Sequence, residues 1–149
     1  MLKKSSENAI ELLKNDHSQV KADFKKFESL GSKAYASKKK LAESICADLF
    51  KHTIIEEEIF YPAVRKGSKK AQDMIDEAVV EHESAKELIS QIQSMSPEEE
   101  LFDARVMVLS EQIEHHVKEE EEEIFPLVQK MKLDLIQLGE QMAARKELL

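Results

Sequence analysis

The sequence predicts an all-α protein, an antiparallel up-down four-helix bundle with a short C-terminal helix. Its 149 residues contain only three Gly and three Pro, and the dominant residues are strong helix formers. No stretch shows the period-two alternation of a β-strand. Capping signals divide the chain into long segments with short connections, which is typical of antiparallel bundles. The length predicts one domain, covering residues 1–149.

Capping residues predict where the first three helices begin and end. A serine immediately before an apolar-periodic segment can accept hydrogen bonds from the first free amide groups, and a glycine commonly follows the last turn. The predicted caps and stops are Ser5 or Ser6 with Gly31, Ser37 with Gly67, and Ser68 for the third helix.

The fourth helix has the clearest start signal, the sequence Ser96-Pro97-Glu98-Glu99. It offers an N-cap serine, a proline at the first helical position and a glutamate three residues after the cap. Pro62 and Pro126 lie inside apolar patterns that continue beyond them, so we expect kinks there and not helix ends. After Gly139, the segment EQMAARKELL predicts the short terminal helix.

The chain contains an internal repeat. The phrase HTIIEEEIFYP at residues 52–62 returns as HVKEEEEEIFP at residues 116–126, and His82 follows His17 by 65 residues. Each half therefore reads as a helical hairpin with a histidine on its first helix and a His-x-x-x-Glu motif on its second. Two copies predict two hairpins that form one bundle, and not a solenoid.

Helical spacing places these polar residues on otherwise apolar faces. His17 and His82 each interrupt an apolar seam, whereas His115 shares a wetter face and is predicted to lie at the surface. The stripes of the second and fourth helices contain Ile45, Leu49, His52, Glu56, Phe60 and Ala63, and Leu109, Ile113, His116, Glu120, Ile124 and Leu127.

Six inward polar groups predict a metal site. An ionised carboxylate buried without a partner is strongly unfavourable, and lysine and arginine are nearly absent from these stripes. A single histidine on an apolar face is usually a core residue, but here the same offsets occur in both halves of the chain. The predicted metal ligands are His17, His52, Glu56, His82, His116 and Glu120.

The donor types narrow the choice of metal. Six donors exceed the needs of one tetrahedral zinc ion, and four imidazoles exclude an oxygen-only site for a hard cation. Two ions that share carboxylates, with two histidines each, fit the number of donors. Imidazole and carboxylate ligands with open positions are typical of non-haem iron. Manganese stays open as an alternative.

The remaining candidate residues receive structural interpretations. Glu57, Glu58 and residues 121–123 are predicted to lie on solvated helix faces, and Cys46 is predicted to be a packing residue. The expected walls of a water-excluding site are Leu13, Phe24, Phe27, Leu49, Phe60 and Ile89.

Charge and hydropathy bear on partners and location. The formal net charge of −8 argues against nucleic acid as a partner, because phosphates favour a basic surface. The N-terminal residues lack the apolar region of a signal peptide, and no window is apolar enough to span a membrane. A cytoplasmic protein without a membrane partner is therefore expected.

The motifs NDHSQ, HTIIEEEIFYP, VEHES and HHVKEEEEEIFP together resemble the hemerythrin-like, HHE cation-binding family over about residues 10 to 130. The resemblance implies a four-helix bundle around two non-haem iron ions with an oxo or hydroxo bridge. By matched position, Glu56 and Glu120 would bridge the two ions. The implied terminal ligands are His17, His52, His82 and His116.

The sequence also departs from the oxygen-carrying hemerythrins that it resembles. Lys86 stands four residues after His82, where those proteins have a further histidine, and Glu120 follows His116 by four residues, where they have an aspartate after five. The departure implies one open position on each ion, which water, Glu119 or His115 could fill. Such a site suits small bridging ligands and redox chemistry better than reversible oxygen transport.

Three functions follow as hypotheses. The first is a di-iron protein that binds O₂, NO or peroxide for sensing or stress defence, and a sensing role would require a partner protein. The second is a di-iron redox enzyme that decomposes peroxide or delivers iron for repair. The third is a metal-free acidic helical adaptor. The sequence leaves the physiological ligand, any enzymatic activity and the oligomeric state open.

Overall fold

A computed structural model describes residues 7–149 and shows an all-helical protein, with no strand in that range, as predicted. The helices are α1 (Ala9–Glu28), α2 (Tyr35–Ile55), α3 (Tyr61–Arg65), α4 (Lys69–Gln93), α5 (Phe102–Glu119), α6 (Phe125–Gln129) and α7 (Leu135–Glu147). The four long helices pack in chain order: α1 against α2, α2 against α4, α4 against α5, and α5 against α1. Two π-helical turns, Glu56–Phe60 and Glu120–Ile124, join α2 to α3 and α5 to α6.

The caps of the first two helices differ from the prediction. The N-cap of α1 is Asn8, whose side chain accepts from the Glu11 amide at 2.9 Å while Glu11 accepts from the Asn8 amide at 3.1 Å. This reciprocal capping box sets the helix start, and Ser5 and Ser6 lie outside the described residues. Ser37 does not cap α2, which begins two residues earlier without a side-chain cap.

The cap predicted for the third long helix is confirmed, and the start predicted for the fourth is wrong. The Ser68 hydroxyl accepts from the Ala71 amide at 3.0 Å at the start of α4. The Ser96 amide does bond to the Glu99 carboxylate, but i to i+3 turns occupy the next residues and α5 begins only at Phe102. Phe102 is fully buried, so its packing in the core determines where the helix begins.

The helical path continues through both prolines, and the disturbance precedes each of them as a π turn. The Tyr61 amide bonds to the Glu56 carbonyl and the Phe125 amide to the Glu120 carbonyl, each five residues back. A wider turn accommodates a proline, which has no amide hydrogen to donate. The added residue shifts the register, so Val64 and Val128 are buried where the α-helical stripe had predicted Ala63 and Leu127.

The terminal helix α7 begins earlier than predicted and contains Gly139 in its interior. A β-carbon at Gly139 would lie 2.2 Å from the Glu7 carbonyl oxygen, so the glycine permits close approach to the start of α1.

Two apolar clusters fill the bundle, one around Leu13 and Phe60 and the other around Ile45 and Leu109. Taken in chain order along each long helix, the histidines lie between these clusters. None of the described helices combines the length and apolarity needed to cross a membrane.

Candidate metal centre

The structure brings all six predicted donors into one buried layer. Each long helix contributes one histidine, and the first residue of each π turn contributes a glutamate. The side chains of Glu56 and Glu120 are fully buried, and the four histidines are nearly so. Each glutamate follows a histidine by four residues, and the helix is α-helical up to the glutamate, so the carboxylate lies one turn after its histidine and faces the same interior.

The six donors form two groups that share a carboxylate. One group contains His17, His52, Glu56 and Glu120, and the other contains Glu56, His82 and His116. Within each group, the candidate ligand atoms all lie within 4.8 Å of one another. The groups are therefore compact enough for one cation each.

Both carboxylates lie between the groups. Glu56 Oε1 is 3.2 Å from His52 Nε2 and 3.1 Å from His82 Nε2. Glu120 instead uses a different oxygen for each group, with Oε1 3.0 Å from His17 Nε2 and Oε2 3.5 Å from His116 Nε2. A carboxylate that contacts an imidazole of each group is placed to bridge two ions.

A second set of carboxylates orients the imidazoles, and its contacts run around the bundle in chain order. Each histidine directs Nε2 toward the centre and bonds through Nδ1 to an acidic residue of the preceding long helix or its π turn. The contacts therefore form a closed ring, because His17 on α1 bonds to Glu121 in the π turn that follows α5. The Nδ1 pairs are Asp16–His52 at 2.9 Å, Glu57–His82 at 2.7 Å, Glu81–His116 at 2.6 Å and Glu121–His17 at 2.8 Å.

This support ring fixes what the imidazoles can do. With Nδ1–H donating to a carboxylate, the lone pair of Nε2 is directed at the centre, and the carboxylate makes the imidazole more basic. Glu57 and Glu121 are partly exposed, but they bond to His82 and His17. Their interpretation as residues that contact only solvent was therefore wrong. The sequence did contain a signal for these supporting carboxylates. An acidic residue directly follows each inward glutamate (Glu57 and Glu121) and directly precedes His17 and His82 (Asp16 and Glu81).

Several buried polar atoms of the layer make no hydrogen bond of acceptable geometry, although His17 Nε2 lies 3.0 Å from Glu120 Oε1 and His52 Nε2 lies 3.2 Å from Glu56 Oε1. A buried donor or acceptor without a partner carries a desolvation cost that most proteins avoid. The atoms are His17 Nε2, His52 Nε2, Glu56 Oε2 and Glu120 Oε1. All four belong to the group of His17, His52, Glu56 and Glu120, so a cation bound there would contact them and this group fits a metal site.

Without a metal, protons balance the buried carboxylates. Burial by itself lowers the pKa of His52, but the Glu56 charge and the hydrogen bond to Asp16 raise it overall to about 10. Burial also opposes protonation of His116, and the neighbouring Glu120 raises its pKa well above the usual value. Burial favours the neutral form of Glu120, but its hydrogen bonds and the His116 charge hold its pKa well below the usual range. A bound cation would replace these protons.

Tyr61 is a buried residue of this layer that the sequence interpretation missed. Its hydroxyl donates to Glu120 Oε2 at 2.5 Å, and its oxygen lies 3.2 Å from Glu56 Oε1 and 3.3 Å from the Nε2 atoms of His82 and His116. Burial first, and then the two carboxylates, raise the pKa of Tyr61 well above its ordinary value, so the phenol keeps its proton.

The two groups are not equivalent because the repeat differs at this position. Tyr61 corresponds to Phe125 in the second copy of the repeated phrase. The Phe125 ring stacks on His17 at a centroid distance of 6.0 Å, while Tyr61 stacks on His82 at 5.3 Å. One group therefore has a phenol beside it and the other a hydrocarbon ring, and this departure between the copies was the signal for Tyr61.

The other candidate residues lie outside the centre. His115 is exposed, as expected, and its Nε2 lies 2.8 Å from Glu119 Oε1, so neither side chain enters the donor layer. Lys86, at the position of the absent histidine, bonds to Glu57 at 2.9 Å. Cys46 is a buried free thiol in the core, in agreement with its interpretation as a packing residue.

The predicted site walls are correct in part. Leu49 and Ile89 line a cavity beside the histidines, and Phe24 lines a neighbouring groove that reaches His17. Leu13 and Phe60 belong to the other apolar cluster. Phe27 packs in the cluster around Ile45 and borders neither of these spaces, so its assignment as a wall was wrong.

Together, the bundle and its buried histidine and glutamate side chains define a helical metal-binding protein. The chain belongs to the hemerythrin family, whose Hemerythrin HHE cation binding domain matches residues 8–128. It is also similar to a solved structure, the Rv2633c homolog from Mycobacterium kansasii, described as a Hemerythrin HHE cation binding domain-containing protein. The TM-score is 0.80 at 27% identity, covering 95% of this chain and 86% of that one.

Two curated relatives are longer than this chain. An uncharacterized hemerythrin-like protein from Schizosaccharomyces pombe is 25% identical over 77% of this chain and 56% of its own length. A protein named DNA nickase from Nostoc sp. is 29% identical over 84% of this chain and 34% of its own length. The chain thus spans about a third to about half of these relatives.

Proposed function

We propose that the protein is a non-haem di-iron protein that binds O₂, NO or peroxide, for sensing or for defence against oxidative stress. The observation that carries the proposal is the pair of buried donor groups that share Glu56, and the four buried polar atoms without a hydrogen bond in the His17 group support it. His17 and His52 would hold one ion, and His82 and His116 the other. Glu56 and Glu120 would bridge them.

The donor chemistry supports iron. Imidazole and carboxylate ligands in a mixed set, with room for a further ligand, are typical of non-haem iron, and the Nδ1 contacts increase the basicity of each imidazole. When bound, the two ions supply redox chemistry and the affinity for small ligands. The protein holds them, fixes the tautomer of each histidine and keeps a phenolic proton of Tyr61 at Glu120 Oε2.

A redox enzyme is a second candidate, and Tyr61 favours it. A phenol that donates into the donor layer could deliver a proton during peroxide decomposition, whereas a binding protein needs no such donor. A sensing role would require a partner protein. This chain spans 34% of the Nostoc relative named DNA nickase. The net charge of this chain, −8, disfavours a nucleic-acid partner.

The test combines metal analysis with absorption spectra of protein loaded anaerobically with Fe(II) and then oxidised. The expected result is two iron ions per chain and near-ultraviolet bands that disappear with dithionite and change with azide, NO or peroxide. One ion per chain, or a colourless protein after loading, would contradict the proposal. If manganese binds more strongly than iron in a competition experiment, the proposed metal is manganese and not iron. A melting temperature that no metal changes would favour the metal-free adaptor.

Two adjacent histidines provide a matched pair of variants. His116→Ala removes a buried imidazole of the donor layer, and His115→Ala removes an exposed one on the same helix. We expect His116→Ala to lower the iron content to one ion or less and to abolish the spectrum. His115→Ala should keep both, and equal losses in the two variants would argue against the assigned centre.

A further inference from the structure

A cavity of about 330 Å³ lies beside the histidine layer, on the side of the apolar cluster around Ile45 and Leu109. All four imidazoles of the candidate centre border it. Apolar side chains from the four long helices form the rest of its interior, namely Val20, Leu49, Ala85, Ile89, Ile113 and Val117. Any molecule in this cavity would lie directly against the donor layer.

The cavity is much larger than a diatomic ligand needs. A water molecule takes about 30 Å³ of liquid volume, and an apolar cavity of about 150 Å³ holds benzene. Two solvent ligands on the ions would therefore leave well over half of the 330 Å³ free. The space also falls at the lower end of the range of small-molecule pockets, roughly 300–1,000 Å³.

The lining favours an uncharged molecule. Among the described residues, no lysine or arginine borders the cavity, whereas the carboxylates of Asp16, Glu81 and the exposed Glu111 do, so the lining offers an anion no excess of positive charge. The nearby carboxylates of Asp16 and Glu81 already bond to His52 and His116. The Thr53 hydroxyl donates to the Phe50 carbonyl at 2.9 Å. The interior is therefore apolar except on its imidazole side.

The entrance lies between α4 and α5. The exposed residues of the lining all belong to these two helices, and Ser84 on α4 bonds to Gln112 Oε1 on α5 at 3.2 Å. Val108, which is 41% exposed, extends the apolar surface to the rim. A single hydrogen bond between partly exposed side chains contributes about 1 kcal/mol, so it is a weak barrier to entry.

We propose that this cavity binds an uncharged organic molecule of about 6 to 12 non-hydrogen atoms, with a hydrocarbon body and one oxygen-bearing end directed at the imidazoles. The hydrocarbon body would contact Leu49, Ala85 and Ile89, and the oxygen would face the donor layer. This inference deepens the proposed function and rests on it, because the bound molecule would be a ligand of the same site.

The test uses phenol and benzoate, which share a ring but differ in charge at pH 7. Isothermal titration calorimetry measures both with the metal-loaded protein, and methyl NMR of the metal-free protein locates the bound ring. We expect saturable phenol binding with shifts of the Leu49 and Ile89 methyl groups, and much weaker binding of benzoate. Ala85→Leu should weaken phenol binding by at least about tenfold, whereas Ala104→Leu, on the exposed face of α5, should not.

Ile89→Phe is a second variant that fills the cavity, two helical turns beyond His82. It replaces Ala85→Leu in the test if Ala85→Leu lowers the metal content. The absence of saturable phenol binding, equal binding of benzoate, or phenol binding unchanged in both filling variants would overturn the inference. Two bound ions without phenol binding would refute the inference alone. Phenol binding to a protein that never takes up metal would instead refute the proposed function.

Discussion

Glu56 contacts both donor groups, so its replacement should affect both ions, whereas loss of one histidine should affect one. Glu56 Oε1 lies 3.2 Å from His52 Nε2 and 3.1 Å from His82 Nε2, and the two histidines belong to different groups. Glu56→Gln keeps the shape of the side chain but removes the charge that two cations would share. Metal-dependent stabilisation is the quantity that reports the loss.

The magnitude follows from linkage. An ion at a hundredfold excess over its dissociation constant stabilises the native state by about 2.7 kcal/mol. For a chain of 149 residues, each kcal/mol raises the melting temperature by about 2–4 °C. Each ion should therefore add about 5–10 °C, and the pair about 10–20 °C. Glu56→Gln should lose nearly all of this rise, and His82→Gln about half.

The assay is thermal unfolding followed by circular dichroism, with and without Fe(II) under anaerobic conditions. The rise on metal addition is compared within each variant, because replacing a buried charge also changes the stability of the metal-free protein. Glu58→Gln is the matched control, since Glu58 lies in the same π turn but is half exposed and bonds to Arg145. A full rise in Glu56→Gln, or a loss no greater than in His82→Gln, would refute the bridging role.

Three further predictions follow from backbone packing, burial and the protons of the donor layer. Gly139→Ala should destabilise the protein by about 1 kcal/mol in urea unfolding, because the clash with the Glu7 carbonyl exceeds the gain of about 1 kcal/mol in helix propensity. Gly31→Ala, with no atom within 4 Å, should be neutral or slightly stabilising. Burial raises the pKa of Cys46 to about 11, so its thiol should resist a disulfide reagent at pH 8 until urea is added, and rapid native reaction would contradict this. Because the pKa of His52 is raised to about 10, metal must displace protons, and binding should weaken as the pH falls. Calorimetry in buffers of different ionisation enthalpy should detect proton release, and its absence would argue against the assigned ligands.

Helical periodicity explains why much of the candidate centre could be predicted. Spacings of three and four residues depend only on position in the chain, so His17, His52, His82 and His116 could be placed on inward faces without coordinates. Glu56 and Glu120 followed in the same way, because each lies one turn after a histidine. The repeat supplied the second condition, since equal offsets in both halves place these residues in one layer.

The π turns explain what the sequence interpretation missed. A regular α-helical register carries the buried stripe to Ala63 and Leu127, but the added residue in each π turn shifts burial to Val64 and Val128. The same shift turns Tyr61 into the donor layer. The sequence around each proline does not indicate whether the preceding turn is α or π. Tyr61 therefore could not be placed in the donor layer by counting residues alone.

Tertiary contacts explain the other differences. Whether Glu57 or Glu121 faces solvent or an imidazole depends on which helix packs beside it. The spacing of residues along one helix does not contain that information. The start of α5 likewise depends on burial of Phe102, although the local sequence at Ser96 satisfies every rule for a helix start. The N-cap of α1 was decided by the reciprocal bonds between Asn8 and Glu11.

The closed order of the Nδ1 contacts has a consequence for the two halves of the chain. The first hairpin contains the Asp16–His52 pair, but the partner of His17 is Glu121, in the second hairpin. The second hairpin in turn depends on Glu57 of the first to orient His82. If the chain were cut between Arg65 and Lys69, each fragment would keep only one oriented imidazole, His52 or His116, so each half of the repeat needs the other to complete its own pair.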